Sequence, residues 1–531
     1  MHAVTPTARL DAPWWRRPVA PWSRSLAAPV LAASLALAVT VLGWEGADWP
    51  AQVYRVAVFR AYGFIGFDTG WYAGHSPVAY SSLFPPLAAT IGVHVTAIAC
   101  AAVATWTFDR VVRGRFGTSS VLGTLCFAAG TVAQIVVGQL AFLLGLTFAL
   151  VAVLMIVSGR RTLAVAAAVA CALSSFVAAL FLVLGAVTWA ISTRDGRRDA
   201  VLIGAGAVVP VLLITATYRQ AGRFPFPTTS LACVLVACAA TWFVLPPSQR
   251  VLRRGALVYA VASLALFVVP TPVGGVMTRL GTTIAVPLVW SAAWRVRRAL
   301  VVPFVALTLV WQFAPALGAM TTPTADRVTS SYFTPLVDAM HRVDPYPARL
   351  EIALTRMHWE AAWVAPSVPL ARGWERQLDI VDNPLFYRGH LTPERYRGWL
   401  DANGIQYVAL SDLPLDPSAR VEAAIIRSNP SFLRPVWSDA HWRLWKVVGS
   451  PGLVSGPARL TSLDASGFTV VATGTGAVDV RVRWTPTWSV VDADGHACLT
   501  PATGGWTGVH VDGPGTFHVT SRLLPTTGGS C

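Results

Sequence analysis

Asp48 is the acidic residue whose position most favours chemistry. It lies in residues 46–50, directly after the first long apolar run of the chain. A carboxylate at the mouth of a helix bundle could take the proton from an attacking hydroxyl group. The alternative is structural, because Asp at a helix N-cap, with Pro50 early in the helix, is a common capping arrangement. The residues alone leave both interpretations open.

Further polar side chains of the same stretch are candidates for binding a substrate. They are Asp68, His75 and Tyr80, which lie among glycines and aromatic residues. Long ordered loops are usually functional. We therefore predict that these three side chains contact a ligand.

Three arginines are candidates for binding a phosphate group. Arg279 lies at the predicted outer end of a membrane span, where the positive-inside trend makes arginine unexpected. Arg219 and Arg223, in the preceding outer segment, offer a similar charge. A guanidinium can hold a lipid phosphate through two hydrogen bonds. The alternative is that these long side chains simply reach the membrane interface.

Residues 372–379 are dense in side chains that bind sugars or phosphates, including Arg372 and Arg376. The alternative, which the residues favour slightly, is an internal salt-bridge network. The chain has no Cys/His metal-ligand spacing, Walker-type loop, dinucleotide fingerprint or Gly-x-Ser-x-Gly motif. A nucleotide-driven pump is therefore disfavoured.

The composition indicates a membrane protein. The 531 residues are 54% hydrophobic and only 13% charged, whereas soluble domains carry about 25% charged residues. The net charge of +15 would suggest nucleic acid as a partner if the arginines lay on one soluble face. Many of them lie instead in short clusters between apolar runs, as is typical of the cytoplasmic ends of spanning helices. We therefore expect no nucleic-acid partner.

The apolar runs predict about eleven transmembrane helices within residues 26–320, since a span needs about 20 apolar residues. Nine runs lie near 26–43, 86–107, 119–138, 140–158, 200–217, 229–246, 255–270, 280–294 and 299–319. Residues 162–191 are too long for one span and have arginines on both sides, so we expect two short helices with a bend at Ser174–Ser175. With residues 1–25 in the cytoplasm, as the arginine placement predicts, an odd count puts the C-terminus outside the plasma membrane. The first run is expected to be an uncleaved anchor and not a signal peptide.

The predicted outer regions are a long first loop, residues 44–85, and everything after the last span. Residues 321–447 mix helical stretches with short strand-like runs, which predicts a small α/β domain. Residues 448–531 alternate strands with Gly and Pro turns, which predicts a β-sandwich. Cys498 and Cys531 lie there, and an oxidising compartment predicts a disulfide between them.

Several segments resemble a family of actinobacterial integral membrane proteins, some of which are labelled as related to 6-pyruvoyl-tetrahydropterin synthase. These segments are residues 46–52, 71–75, 80–85, 272–274, 278–280, 371–379 and 441–447. The resemblance runs along nearly the whole chain. The label is not taken to indicate an activity.

More distantly, the layout is similar to that of the C-type glycosyltransferase superfamily (GT-C). This resemblance implies many spans, a catalytic carboxylate in the first outer loop, and polyprenyl-phosphate sugars as donors. By position, Asp48 matches the acidic residue of that loop, and Arg279 matches a basic residue near the lipid phosphate. The loop lacks the adjacent acidic pair of many members, since Asp68 is twenty residues away, so a divalent metal remains possible but unassigned.

The sequence thus leads to two hypotheses. The first is a GT-C-like glycosyltransferase that moves a sugar from a lipid-linked donor to a cell-envelope glycan or lipid acceptor at the outer membrane face. The second is a non-catalytic transporter of lipid-linked glycans or an envelope assembly scaffold. Polar residues gather at the outer rim of largely apolar spans, which favours the enzyme.

Overall fold

The computed structural model describes residues 26–218, 222–295, 297–321, 329–525 and 531. The part up to residue 320 is helical. Its helices are α1 (Ala27–Val41), α2 (Trp49–Tyr62), α3 (Phe84–Ile91), α4 (Val93–Phe116), α5 (Val121–Val137), α6 (Leu140–Val157), α7 (Arg161–Ser174), α8 (Phe176–Ser192), α9 (Arg197–Thr217), α10 (Thr228–Val244), α11 (Arg250–Val268), α12 (Thr278–Leu280), α13 (Val286–Ala293) and α14 (Arg298–Met320). The predicted N-terminal tail lies outside the described residues.

Six described helical segments are long and apolar enough to cross a membrane. They are Val93–Val137, Leu140–Val157, Arg197–Thr217, Arg250–Val268, Gly274–Ala293 and Arg298–Met320. The first comprises α4 and α5, which meet near Gly117. Four further apolar helices, α1, α7, α8 and α10, are shorter. The helical part therefore has the composition and helix lengths of a membrane protein.

The long apolar run 162–191 forms two helices, as predicted. α7 ends at Ser174, and the Ser175 side chain accepts a hydrogen bond at the start of α8. At the start of α7, Arg161 Nε lies 2.6 Å from Asp199 Oδ1 in the first turn of α9. Because α9 follows α8 after a short turn, α7 and α8 start and finish at the same end of the bundle.

Residues 329–447 form an α/β unit around one mixed sheet of order β1-β2-β4-β3. β1 and β2 are parallel, and the other neighbours are antiparallel. The elements are α15 (Ser330–Val343), β1 (Arg349–Ile352), α16 (Glu360–Trp363), α17 (Arg376–Asp382), α18 (Pro393–Ala402), β2 (Ile405–Ser411), α19 (Arg420–Arg427), β3 (Leu433–Ser438) and β4 (Trp442–Val447).

Residues 448–525 form two facing four-stranded antiparallel sheets, β10-β11-β8-β5 and β6-β7-β12-β9. Their strands are β5 (Val454–Ser455), β6 (Ala458–Asp464), β7 (Gly467–Ala472), β8 (Gly476–Arg483), β9 (Trp488–Ala493), β10 (Ala497–Ala502), β11 (Trp506–Val511) and β12 (Gly515–Ser521). Alternate residues such as Val478 and Val480 in β8 are buried between the sheets, as the two-residue period of a strand requires. Cys498 forms a disulfide with Cys531, which confirms that prediction.

The loop of residues 44–85 holds the three parts together. It contains α2, whose inward side is buried. Backbone hydrogen bonds join the loop to each part: Gly46 N–H to Val136 O (2.7 Å) in α5, Leu370 N–H to Gly70 O (2.9 Å) in the α/β unit, and Arg483 N–H to Ala73 O (2.8 Å) in the sandwich. The loop is therefore a fixed element of the fold.

Candidate active site

The backbone around Asp48 is fixed by the last turn of α5. The Asp48 N–H donates to Val137 O at 3.1 Å, and the Trp49 indole N–H donates to Ile135 O at 2.6 Å. Gly138 ends α5 with a φ of +95°. A Cβ on Gly138 would lie 2.4 Å from Trp49 N and 2.7 Å from the Asp48 carbonyl carbon. The end of the helix therefore sets the position of Asp48.

The Asp48 carboxylate faces a cation and does not cap a helix. Asp48 occupies the N-cap position of α2, with proline close behind, but its side chain makes no capping hydrogen bond. Its Oδ2 lies 3.9 Å from Nη2 of Arg279. The Trp374 side chain lies close enough to Asp48 to lower the pKa of its carboxyl group. The Asp48 side chain therefore does not cap α2, and its role as a base stays a prediction.

Asp48 and Arg279 line a recess between the helical bundle and the C-terminal part. Their side chains keep 32% and 25% of their surface accessible. Burial raises the pKa of Asp48, while the charges of Arg279 and Arg376, the nearby Trp374 side chain and the charge of Arg55 oppose the rise. Since water reaches about a third of the side chain, it moderates each of these effects. The carboxylate is therefore a stronger base than an ordinary aspartate.

Arg279 presents its guanidinium to this recess from α12. A π-helical segment, Gly281–Ala285, follows directly. Such turns are rare in proteins, and those that occur are often located at functional sites. The Phe142 ring centre lies 5.5 Å from the guanidinium carbon. At 3.9 Å the nearest Asp48 oxygen is beyond hydrogen-bond distance. The guanidinium therefore faces the carboxylate without a hydrogen bond to it, and its accessible N–H groups can donate to an acceptor that lies beside the pair.

The C-terminal part closes the recess with residues 372–376. Gly373 lies directly on Trp71, because a Cβ at this position would be 2.3 Å from the Trp71 Cγ. On the other side of Trp374, Arg376 Nη2 lies 2.6 Å from Asp416 Oδ2. These contacts fix the segment on both sides of the indole.

Glu375 ties the same segment to α2. Its Oε2 lies 2.7 Å from Nη2 of Arg55, and both side chains are nearly buried. Its backbone N–H donates to the Tyr72 hydroxyl at 2.9 Å. The Arg55 guanidinium also stacks 3.7 Å from the Tyr80 ring centre. The ion pair therefore joins the C-terminal part to the loop that carries Asp48.

The sequence matches no protein-family model and no curated protein with which it was compared. The interpretation of the site therefore depends on its geometry. Within the described residues, no group of three or more His, Cys, Asp or Glu side chains is placed to hold a metal ion. A divalent cation takes several oxygen ligands, whereas the charged groups acting on Asp48 are Arg279, Arg376 and Arg55. Within the described residues, Asp48 therefore has arginines and no second carboxylate among the charged groups that act on it, and they form no preformed site for a divalent metal.

Asp68 and His75 do not line the recess. Asp68 is fully buried and accepts hydrogen bonds from the Tyr54 hydroxyl (2.9 Å) and the Gly70 N–H (2.8 Å). It pairs with His75 in an isolated β-bridge. Burial raises the pKa of Asp68 to about 7 and lowers that of His75 to about 3. Side chains so enclosed have no surface for a ligand, so the geometry assigns them to bracing the loop and not to the predicted substrate binding.

Tyr80 lies nearer the recess. Its hydroxyl accepts a hydrogen bond from Gln52 Nε2 at 3.1 Å. Burial raises the pKa of Tyr80, and the nearby charges of Arg55, Asp48 and Arg279 also act on it. Tyr80 therefore remains a candidate for contact with a ligand.

Arg372 is fully buried in the α/β unit and cannot reach a ligand. Its guanidinium lies 2.7 Å from Asp379, 3.3 Å from Glu422 and 3.7 Å from Glu351. This is the internal salt-bridge network that was the alternative, and it replaces the predicted role of Arg372 in substrate binding.

The other predicted arginines are placed differently from one another. Arg376 is about a quarter exposed and its charge acts on Asp48. The Arg223 side chain is exposed, and its backbone N–H donates to Gln377 O at 2.9 Å, beside α17. Arg219 lies outside the described residues.

Three side chains of the site were not predicted from the sequence: Trp374, Glu375 and Arg55. Trp374 and Glu375 lie within the polar run 372–379, so the run itself was the available signal. Arg55 could have been suspected because a buried charge on a mostly apolar helix needs a partner.

Proposed function

We propose that this chain is a membrane glycosyltransferase that moves a sugar from a polyprenyl-phosphate donor to a cell-envelope acceptor. The observation that carries the proposal is the Asp48 carboxylate facing the Arg279 guanidinium at 3.9 Å in a water-accessible recess. A base and a phosphate-binding cation, side by side at the end of an apolar bundle, suit a lipid-linked phosphate as leaving group.

In the proposed reaction, the acceptor oxygen bonds to the anomeric carbon as the bond from that carbon to the phosphate oxygen breaks. Asp48 takes the proton of the acceptor hydroxyl. The electron pair of the broken bond leaves with the polyprenyl phosphate, whose negative charge Arg279 stabilises. General-base catalysis contributes roughly 10²- to 10⁴-fold to the rate.

The proposal includes eleven membrane passes, made by α1, α4 to α11, the rod of α12 and α13, and α14. The arginine clusters, such as the one at Arg160–Arg161 before α7, lie at the end of the bundle opposite the recess. By the positive-inside rule that end would face the cytoplasm. The recess, both C-terminal units and the Cys498–Cys531 disulfide would then lie outside the plasma membrane, where such bonds persist.

The test is lipid analysis of a deletion strain complemented with wild type, Asp48→Asn or Glu45→Gln. Glu45 is the matched control, because it lies in the same loop and pairs with His94 at 2.9 Å on the surface. We expect the deletion to accumulate a polyprenyl-phosphate sugar or to lose one envelope sugar. Wild type and Glu45→Gln should restore the profile, and Asp48→Asn should not. If Asp48→Asn restores it equally, a transporter or scaffold takes the place of the enzyme.

A further inference from the structure

The helical bundle contains a cavity of about 510 Å³, lined by residues of α4, α6, α8, α10, α11 and α13. Its walls are mostly apolar and include Leu146, Phe181, Leu182 and Val289. Ligand sites typically have volumes of roughly 300–1,000 Å³. Water finds few hydrogen-bond partners on such walls. A hydrocarbon chain is therefore the occupant that suits them.

One end of this cavity is basic. Arg110, Arg115 and Arg250 line it there, together with Ser248 and Gln249. Arg115 and Arg250 are exposed, and none of the described Asp or Glu residues lines the cavity. The cavity therefore combines apolar walls with a positively charged opening, which we call the arginine mouth.

The arginine mouth lies at the end of the bundle opposite the recess. α5 has 17 residues and runs from the α4–α5 turn to the recess, a distance on the order of 25 Å. Arg295, just after α13, donates to the Thr118 hydroxyl in that turn. Arg297 Nη1 donates to Phe243 O near the end of α10 at 2.5 Å. The ends of α4, α10 and α13 therefore meet at the arginine mouth.

We infer that this cavity binds an anionic phospholipid, with an acyl chain between the apolar walls and the phosphate at the arginine mouth. Guanidinium groups hold phosphate oxygens through charge-assisted hydrogen bonds, and basic pockets between spanning helices bind anionic headgroups. The acyl chain supplies packing contacts that the walls of an empty cavity would lack. The inference does not depend on the reaction proposed for the recess.

The polyprenyl chain of a glycosyl donor is the competing occupant. Leu280 and Gly281 line the cavity and directly follow Arg279 in the chain. A donor held at Arg279, however, would have its phosphate at the opposite end from the arginine mouth. The position of the positive charge therefore favours a phospholipid whose headgroup lies at that mouth.

The experiment measures lipid binding to the purified full-length chain in detergent by native mass spectrometry. The probes are phosphatidylglycerol and phosphatidylcholine with identical acyl chains, which differ in net charge, and polyprenyl phosphate serves as a competitor. One variant combines Arg115→Gln with Arg250→Gln. Its matched control combines Arg160→Gln with Arg198→Gln, because these two arginines are exposed and do not line the cavity.

A second pair of variants tests the apolar walls. Gly185 lines the cavity, and a Cβ at this position would meet nothing within 4 Å. Gly185→Phe should therefore fill part of the space without disturbing α8. Gly318→Phe in α14 is its control, because a Cβ there also meets nothing within 4 Å and Gly318 does not line the cavity.

Wild type should bind phosphatidylglycerol about tenfold more tightly than phosphatidylcholine, a difference of about 1.4 kcal/mol. The variant with Arg115→Gln and Arg250→Gln should lose this preference, and Gly185→Phe should weaken binding of both phospholipids. The two controls should bind like wild type. Asp48→Asn should do so as well, so that a failure of the proposed reaction and a failure of this inference are distinguishable.

Two outcomes would overturn the inference. One is that wild type binds neither phospholipid, or binds both with equal affinity. The other is that polyprenyl phosphate displaces phosphatidylglycerol from wild type but not from Arg279→Gln, which would assign the cavity to the donor chain.

Discussion

Arg55 and Glu375 form a nearly buried ion pair, 2.7 Å long, between helix α2 and the C-terminal part of the chain. Removing one partner of a buried pair leaves an uncompensated charge, which costs about 3–5 kcal/mol. We expect Glu375→Ala to lower the midpoint of thermal unfolding accordingly. The paired variant Arg55→Met with Glu375→Met should recover most of the loss. Unchanged unfolding of Glu375→Ala would show that the pair does not hold the two parts together.

The pH dependence of transfer should report the charge of Asp48. Since burial raises the Asp48 pKa and the base acts when deprotonated, the acid limb of kcat/KM should lie above the pH at which ordinary aspartates titrate. Arg279 is the largest influence that lowers this pKa. In Arg279→Gln the acid limb should therefore move to higher pH.

Arg376→Gln provides the comparison for that shift. Arg376 acts on Asp48 in the same direction but less strongly, so its loss should move the limb less. An acid limb that stays in place in Arg279→Gln would mean that Asp48 is not the titrating base.

Gly138→Ala should displace Asp48 without altering its chemistry. The added Cβ would lie 2.7 Å from the Asp48 carbonyl carbon, so the loop must shift. A shift of about 1 Å can cost roughly 100-fold in rate. Gly159→Ala is the matched control, because Gly159 also has a positive φ but nothing lies within 4 Å of its added Cβ. Equal transfer rates of Gly138→Ala and Gly159→Ala would show that close packing at Gly138 does not set the position of Asp48.

Asp68→Asn should change how stability depends on pH. The Asp68 pKa is about 7 in the folded chain, well above its ordinary value, so the fold favours the protonated form. The stability that the fold gains from the protonated carboxyl group of Asp68 is fully present below about pH 4. It is lost as the pH rises through 7. The neutral side chain of Asn does not titrate, so Asp68→Asn does not lose this stability. From pH 5 to pH 8, the free energy of unfolding of the variant minus that of wild type should therefore rise by roughly 3 kcal/mol. Denaturant unfolding across this range measures the difference, and a constant difference would contradict the prediction.

Local patterns in the sequence predicted much of the helical part. Apolar runs flanked by arginines located the helices, and the arginines on both sides of 162–191 predicted the turn at Ser175 because a run returning to one side must reverse. Asp48 and Arg279 were proposed as site residues from their positions at the ends of such runs, and the structure places their charged groups 3.9 Å apart. Each of these predictions depends on residues close together along the chain.

The remaining features depend on contacts that the sequence does not display. Asp68 and Arg372 look like surface residues because charged side chains usually are. Their burial becomes possible only through partners such as Tyr54 and Glu422, which lie 14 and 50 residues away. Gly373, the neighbour of Trp374, packs directly on Trp71, which lies about 300 residues earlier in the chain. Hydrophobic periodicity along the sequence does not reveal such contacts between distant residues.

The ion pair between Arg55 and Glu375 joins residues 320 positions apart, and this has a consequence for biosynthesis. At 5–20 residues per second, the ribosome needs on the order of half a minute to pass from one to the other. For part of this time the nascent chain contains both Asp48 and Arg279, but it still lacks residues 372–376, which close the recess. If the proposed function holds, a product that ends before Glu375 lacks the segment that closes the recess and should not catalyse transfer, so that only the completed chain is active.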